Sequence, residues 1–279
     1  MKDLVIEKLP RGALPESQLA SARPGAVAGD HESQTNGFDV RWARHAEEVL
    51  EAQRLRYRVF VGEMGAQLKP PPGSPPAHDI DHFDAHCEHL LVRPIVTGGE
   101  PGEVIGTDRV LTPAAARRAG GLYTETEFDL CGLAGRLGKA VELGRSCVHP
   151  HWRSGGVVMA LWSALGEFML ANELDTMIGC ASIGVLDGGH GAASLWARLR
   201  HSHMAAAEWR VTPHLALPVD HLQQDLAIET PALIKGYLRC GAKVLGAPAW
   251  DPEFRSADLP LLMRFGELPA RYRRHFLGT

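Results

Sequence analysis

The stretch Ala140-Val-Glu-Leu-Gly-Arg-Ser-Cys-Val148, followed by His149-Pro-His-Trp-Arg-Ser-Gly-Gly156 and the apolar run from Val157 to Ala171, decides the fold. Its first nine residues read as a strand. The middle eight carry Pro150 and two glycines and read as a loop. The last run repeats Val157, Leu161, Leu165 and Phe168, with Val158, Trp162 and Met169 beside them, at the spacing of a helix face. Ser163 and Glu167 interrupt that run, and it falls short of the ~18 residues that span a bilayer, so a buried helix is expected. Downstream, Thr176 to Ser182 is a short apolar strand, which a right-handed crossover places parallel to the strand ending at Val148. Upstream, His89 to Val96 and Val104 to Leu111 flank Thr97 to Glu103 and read as an antiparallel hairpin. A helix over Leu233 to Arg239 and strands at Lys243 to Ala247 and Leu259 to Phe265 complete the pattern. The expected class is α+β, with a mixed, mostly antiparallel central sheet and flanking helices.

Outside this core, Val49, Leu50, Tyr57, Phe60, Val61 and Met64 recur at helical spacing from Ala46 onward, with Arg54, Arg56 and Arg58 on the other face. Lys69 to Pro76, KPPPGSPP, is a loop because its prolines lack donors and restrict their predecessors. Residues 1–36 are rich in Pro, Gly, Ser and charge without periodicity, so a flexible leader is expected before a single domain over 37–279. The start lacks the apolar core of a secretory signal. With 33 acidic and 29 basic side chains, the net charge of −4 argues against a general nucleic-acid binder. The five scattered cysteines form no Cys-x-x-Cys pair, which fits a reducing, cytoplasmic setting. Leu195, Trp196 and Leu199 with Arg198 and Arg200 suit either an interfacial helix or a lid or core helix, and the first reading carries an expectation of peripheral contact at the inner membrane face.

The glycines Gly155 and Gly156 stand where a loop enters a helix, so unpaired amides and the positive end of the dipole face outward together as an anion site. No Gly-Lys-Ser/Thr follows, and no Gly-x-Gly-x-x-Gly occurs after a strand. The stretch His78 to His89 is dense in imidazole, carboxylate and thiol but lacks His-Glu-x-x-His, and no metal is assigned. Ser182 is not a nucleophile elbow, because Cys180 takes the first glycine position. Cys147 is read as buried rather than as a nucleophile.

The loop Arg153-Ser-Gly-Gly-Val157 resembles that of the GNAT acyltransferase superfamily, in which it holds the pyrophosphate and pantetheine arm of acyl-CoA or the phosphopantetheine of acyl carrier protein. Val158 stands where Gly or Ala is usual, which points away from plain acetyl-CoA. Arg56-Tyr-Arg-Val-Phe60, Asp81-His-Phe-Asp84, Gly106-Thr-Asp-Arg109 and Glu142-Leu-Gly-Arg145 occur in the order seen in acyl-homoserine-lactone synthases. DHFDAHCEHLLV, YTETEFDL, ELGRSCVHPHWR, IGCAS and LIKGYLRCGAKV are still more similar to ornithine N-acyltransferases, over about residues 40–276.

That resemblance implies transfer of a 3-hydroxy fatty acyl group from acyl carrier protein to the α-amine of ornithine, with no permanently bound cofactor. Val148, Arg153, Ser154, Gly155, Gly156 and Val157 would hold the acyl-phosphopantetheine. Arg56, Phe60, Asp81, Asp84 and Arg109 would build the acceptor pocket, arginines for a carboxylate and aspartates for an amine; Phe60 also suits the core. Because an α-amine with a pKa of about 8 is mostly protonated at neutral pH, a base is needed, and Glu142 is the candidate, acting directly or through water. Strict alternation puts Glu142 and Arg145 on opposite faces unless Gly144 marks a bulge. Amides near Cys147 and Val148 would stabilise the oxyanion. A structural ion pair is the competing account of Glu142 and Arg145. Arg117-Arg118 and Arg271-x-Arg273-Arg274 are candidate docking points for an acidic carrier protein. An acyl-homoserine-lactone or other N-acyl amino acid synthase, and a non-catalytic acyl- or metal-binding module, are the alternatives.

Overall fold

Phe38, Val40 and Trp42 alternate with Asp39 and Arg41, and this half-buried pattern forms the first strand, β1 (Phe38–Trp42). The computed structural model describes residues 37–96, 98–153, 155–270 and 272, so the leader, Ser154, Arg271, Arg273 and Arg274 lie outside the described residues. After β1 come α1 (Ala46–Phe60), β2 (Glu88–Pro94), β3 (Gly106–Leu111), α2 (Pro113–Ala119), α3 (Thr124–Glu127), β4 (Phe128–Asp129) and β5 (Ala140–Val148). The chain continues with α4 (Gly156–Ala171), β6 (Thr176–Gly184), α5 (His190–Ser202), β7 (Thr212–Pro213), α6 (Ala232–Arg239), β8 (Lys243–Val244), β9 (Ala249–Asp251) and β10 (Ser256–Arg264). The main sheet runs β1-β2-β3-β5-β6-β10-β8, with β9 paired to β10. All its pairings are antiparallel except β5 with β6, which gives the expected mixed sheet.

One face of the sheet packs on α4: Leu90, Val92, Val110, Val141 and Leu143 meet Val157, Leu161, Leu165 and Met169. Gly106 makes this approach possible, because a Cβ there would run into Val157 Cγ1. The other face carries α1, whose Leu55, Val59 and Phe60 pack with Leu91 and Cys147. α5 buries Ala192, Ala193, Leu195, Trp196 and Leu199 in a third apolar cluster, so it is a core helix and the interfacial reading of this segment is corrected. Among the described residues no helix is long and apolar enough to cross a membrane.

The expected strand at Lys243 to Ala247 shrinks to the two residues of β8. The last strand starts three residues earlier than expected, at Ser256, since Asp258 is buried in it and its polarity hid the alternation.

Candidate active site

β5 and β6 pair only over Ala140–Glu142 and Thr176–Ile178. Beyond that point β6 follows β10 and β5 follows β3, so the sheet splits. Gly179 sits at the fork, where a Cβ would strike the carbonyl oxygen of Leu143. Between the diverging strands lies an apolar cleft of about 190 Å³, walled by Leu143 to Ser146, Met177 to Ser182, and Leu261 to Met263. Phe60, Met64, Tyr123, Leu233, Tyr237, Ala242, Phe254 and Asp258 complete its lining. At the same end of β5 the chain passes through a buried Trp152 and Gly155 (φ 116°) into α4. Among the described residues no side chain caps that helix, which leaves its first-turn amides to meet an anion.

β5 carries a bulge. Thr107 stands opposite Cys147 and Arg109 opposite Gly144, so Asp108 alone faces both Arg145 and Ser146. Arg145 takes the extra place in the left-handed region, at φ 54°. The bulge therefore falls beside Gly144 and puts Glu142 and Arg145 on the same face, opposite α4.

Arg145 reaches Asp81 at 2.9 Å and Asp79 at 3.2 Å, and its guanidinium lies 4.8 Å from the Tyr123 ring centre and 4.4 Å from that of Phe254. Arg56 Nε donates to Asp79 Oδ2 at 2.7 Å, and its Nη1 and Nη2 donate to Asp84 at 2.8 and 3.0 Å. Arg109 Nη1 donates to Asp81 at 2.6 Å and Asp84 at 3.0 Å. Three arginines and three aspartates thus pair with one another, with the buried Nε of Arg145 left without a hydrogen-bond partner. Although burial opposes ionisation of Asp84, the Arg56 guanidinium holds its carboxyl far below the usual range.

Of the residues expected in the acceptor pocket, Phe60 lines the cleft, as does Arg145; Arg56, Asp81, Asp84 and Arg109 pair with one another and do not, although Arg109 lines a smaller cavity that shares Tyr123 and Gly144 with the cleft. Asp79 belongs to the network and was not singled out in the sequence, although its spacing of two from Asp81 marked it.

Glu142 is only 4% exposed, and its oxygens accept from Tyr123 N at 2.6 Å, Thr124 N at 2.6 Å and Thr124 Oγ1 at 2.5 Å. Burial raises its pKa against the pull of these donors. It anchors the start of α3 and lies outside the wall of the main cleft, in the lining of the smaller cavity beside it. Cys147 is buried with its thiol pKa pushed up by desolvation, which removes it as a nucleophile. Val148 packs against the α4 core, and its carbonyl accepts from Arg153 Nε at 3.0 Å. Arg153 is exposed and forked onto Glu63 at 2.9 and 3.1 Å.

Tyr237 was also missed by residue-level reading. Its ring stacks on Trp162 at 5.1 Å and its phenol pKa is raised by burial, with Asp108 adding to the effect. Ser146 Oγ donates to Asp108 at 2.5 Å, and burial lifts Asp108 to about 7.

Residues 55–163 match the Acetyltransferase (GNAT) domain family. Over 263 residues the chain is 37% identical to the L-ornithine N(alpha)-acyltransferase of Rhizobium meliloti (strain 1021), covering 90% of this chain and 88% of the relative. The chain belongs to the L-ornithine N(alpha)-acyltransferase family. The relative of that name from Agrobacterium fabrum (strain C58 / ATCC 33970) is 36% identical, with 86% and 85% coverage. In fold, the chain is similar to FeeM, an N-acyl amino acid synthase from uncultured soil microbes, at TM-score 0.51 and 12% identity over 84% of this chain and 97% of that one. An acyltransferase of GNAT fold is therefore established, and the split sheet is the feature around which this family member is built.

Proposed function

We propose that the chain transfers a (3-hydroxy) fatty acyl group from the phosphopantetheine of acyl carrier protein to the α-amine of L-ornithine, giving lyso-ornithine lipid. The carrying observation is the apolar cleft in the fork of β5 and β6, beside the uncapped amino end of α4. A pantetheine arm extended between the strands would meet the free edge of β5 with its amides, and the acyl chain would follow the apolar wall. Amides on that edge suit the oxyanion, a contribution often worth about 3 kcal/mol per donor. Arg153 and the first turn of α4 would take the phosphate. The exposed Arg153–Glu63 pair is held by no more than about 1 kcal/mol, so an incoming phosphodiester displaces Glu63 readily.

The neutral amine attacks the thioester carbon, the C–S bond breaks, and the surplus proton on the nitrogen ends on the departing sulfur, giving amide and free thiol. Tyr237, in the cleft wall and still protonated at neutral pH, is the group we assign to relay that proton, donating to the sulfur and recovering a proton from the nitrogen. Exposed Arg117 and Arg118, in the last turn of α2, suit the acidic surface of a carrier protein. The names of the relatives support ornithine as acceptor.

Incubation of the full chain with 3-hydroxyacyl carrier protein and L-ornithine, read by product mass and free carrier thiol, tests this. N-acylornithine with equimolar thiol is expected. Thiol release with no acylated amino acid overturns it.

A further inference from the structure

Asp258 enters the cleft wall beside Tyr123, Cys180 and Ser182. Behind it stand Glu127, the last residue of α3, and Asp251, the end of β9. One oxygen from each of the three carboxylates lies within 4.8 Å of the others. Asp251 Oδ1 accepts from the amides of Glu253 and Phe254 at 2.7 and 3.0 Å, and Asp258 Oδ1 accepts from Ser256 Oγ at 2.8 Å. Glu127 is different. Both of its carboxylate oxygens are closed to solvent and lack a well-formed hydrogen bond, with only the neutral Tyr123 and Cys180 side chains beside it for weak relief. The nearby arginines are committed to Asp79, Asp81 and Asp84, and among the described residues no ion pair reaches Glu127, Asp251 or Asp258.

Three converging carboxylates with an orphaned member call for a cation or for protons. Burial and the mutual repulsion of the acids push Glu127 up to about 9 and Asp258 up to about 6, so the empty cluster holds protons that a cation would displace. An ammonium offers three donors for three acceptors, and the acceptor that the relatives' names support carries one on its side chain. Tyr123 joins this cluster to the cationic end of the cleft: its hydroxyl donates to Asp251 at 3.4 Å, and its ring lies under Arg145.

We propose that Glu127, Asp251 and Asp258 form the pocket for the side-chain ammonium of the acceptor, and so select a diamino acid over neutral amino acids. This deepens the acceptor assignment of the preceding subsection and rests on it. Arg145, which also lines the cleft and keeps a buried Nε without a hydrogen-bond partner, is suited to the α-carboxylate.

Steady-state acylation is measured with L-ornithine and with L-norvaline, the same carbon skeleton without the terminal amine, for the wild type, Glu127→Gln and Asp258→Asn. The wild type is expected to favour ornithine by 100-fold or more in kcat/KM. Each variant is expected to lose at least tenfold on ornithine, mostly in KM, so that the preference for ornithine over norvaline collapses, while an unchanged far-UV circular dichroism spectrum shows that the variant is folded. Equal losses on both acceptors, or a wild type that acylates both equally, overturns the pocket while leaving the acyltransfer assignment intact. A chain that acylates no α-amino acid overturns both. Calorimetry with MgCl₂ or CaCl₂ alone is the second arm: stoichiometric ion binding lost in Glu127→Gln would make this a metal site and sink the ammonium reading.

Discussion

Around Asp84, three guanidinium groups alternate with three carboxylates until nearly every donor has an acceptor; around Asp258, three carboxylates meet with no arginine between them. Both clusters lie on the sheet face opposite α4, joined by Tyr123. The first is closed on itself except at Arg145, a cleft-lining residue whose buried Nε has no hydrogen-bond partner. The second is left short of one cation, as a binding pocket for an ammonium must be before its ligand arrives. A site of this kind is recognised by what its residues lack.

The largest test of the contrast is removal of one charge from each cluster. Arg56 is fully buried, and Arg56→Met strands Asp79 and Asp84 without their main partner. Breaking such a buried network costs about 3–5 kcal/mol, to be read from urea denaturation, and a loss below about 1 kcal/mol would show that the network is hydrated and not structural. Glu127→Gln in the same assay is expected to leave the ligand-free chain as stable or more stable, because it removes a repulsion.

Glu142 sharpens the comparison from the middle, as a carboxylate satisfied by neutral donors. In Glu142→Gln, one amide N–H₂ must face the amides of Tyr123 or Thr124, a mismatch of about 1–3 kcal/mol in stability. If Glu142 only anchors α3, kcat falls by about tenfold or less and the pH–rate profile keeps its shape. A fall of 100-fold or more with loss of the acidic limb would make Glu142 the base.

The fold was legible because the β5–loop–α4 run obeys local rules: strand alternation, a proline- and glycine-bearing turn, and a stripe at helical spacing. β5 matches its expected bounds residue for residue, and the expected bulge lies beside Gly144. β1 was hidden against the leader, and α2 was passed over although Thr112 caps it and Gly120 closes it. The arginines and aspartates of the network were found, but their mutual pairing was not, because spacing identifies charged residues without saying which face each other. The acidic cluster had no sequence signal. Glu127, Asp251 and Asp258 come from α3, β9 and β10, and only the antiparallel pairing of β9 with β10 brings the last two under Tyr123.

The smallest effect separates the two clusters by the sign of their pH dependence. Asp81 and Asp84 have lowered pKa values, so their contribution is full above the ordinary carboxylate range and is lost as pH falls below about 4. Glu127 and Asp258 have raised values. The unfolded chain sheds these protons near pH 4 while the folded chain retains them, so stability falls as pH rises, over about 4 to 6 for Asp258 and on to about 9 for Glu127. Asp258 faces Glu127 from α3, Asp251 from β9, Cys180 and Ser182 from β6, and Ser256 on its own strand, with no arginine or lysine ion-paired to it among the described residues. A tenfold change in proton affinity is worth about 1.4 kcal/mol. Glu127→Gln should therefore raise stability at pH 8 by at least that much, and Asp258→Asn by less, with its gain complete by about pH 6. Denaturation curves from pH 3 to 9 check both. Variants whose alkaline limbs superimpose on the wild type would mean that the cluster already holds a cation, and the difference between the two regions would disappear.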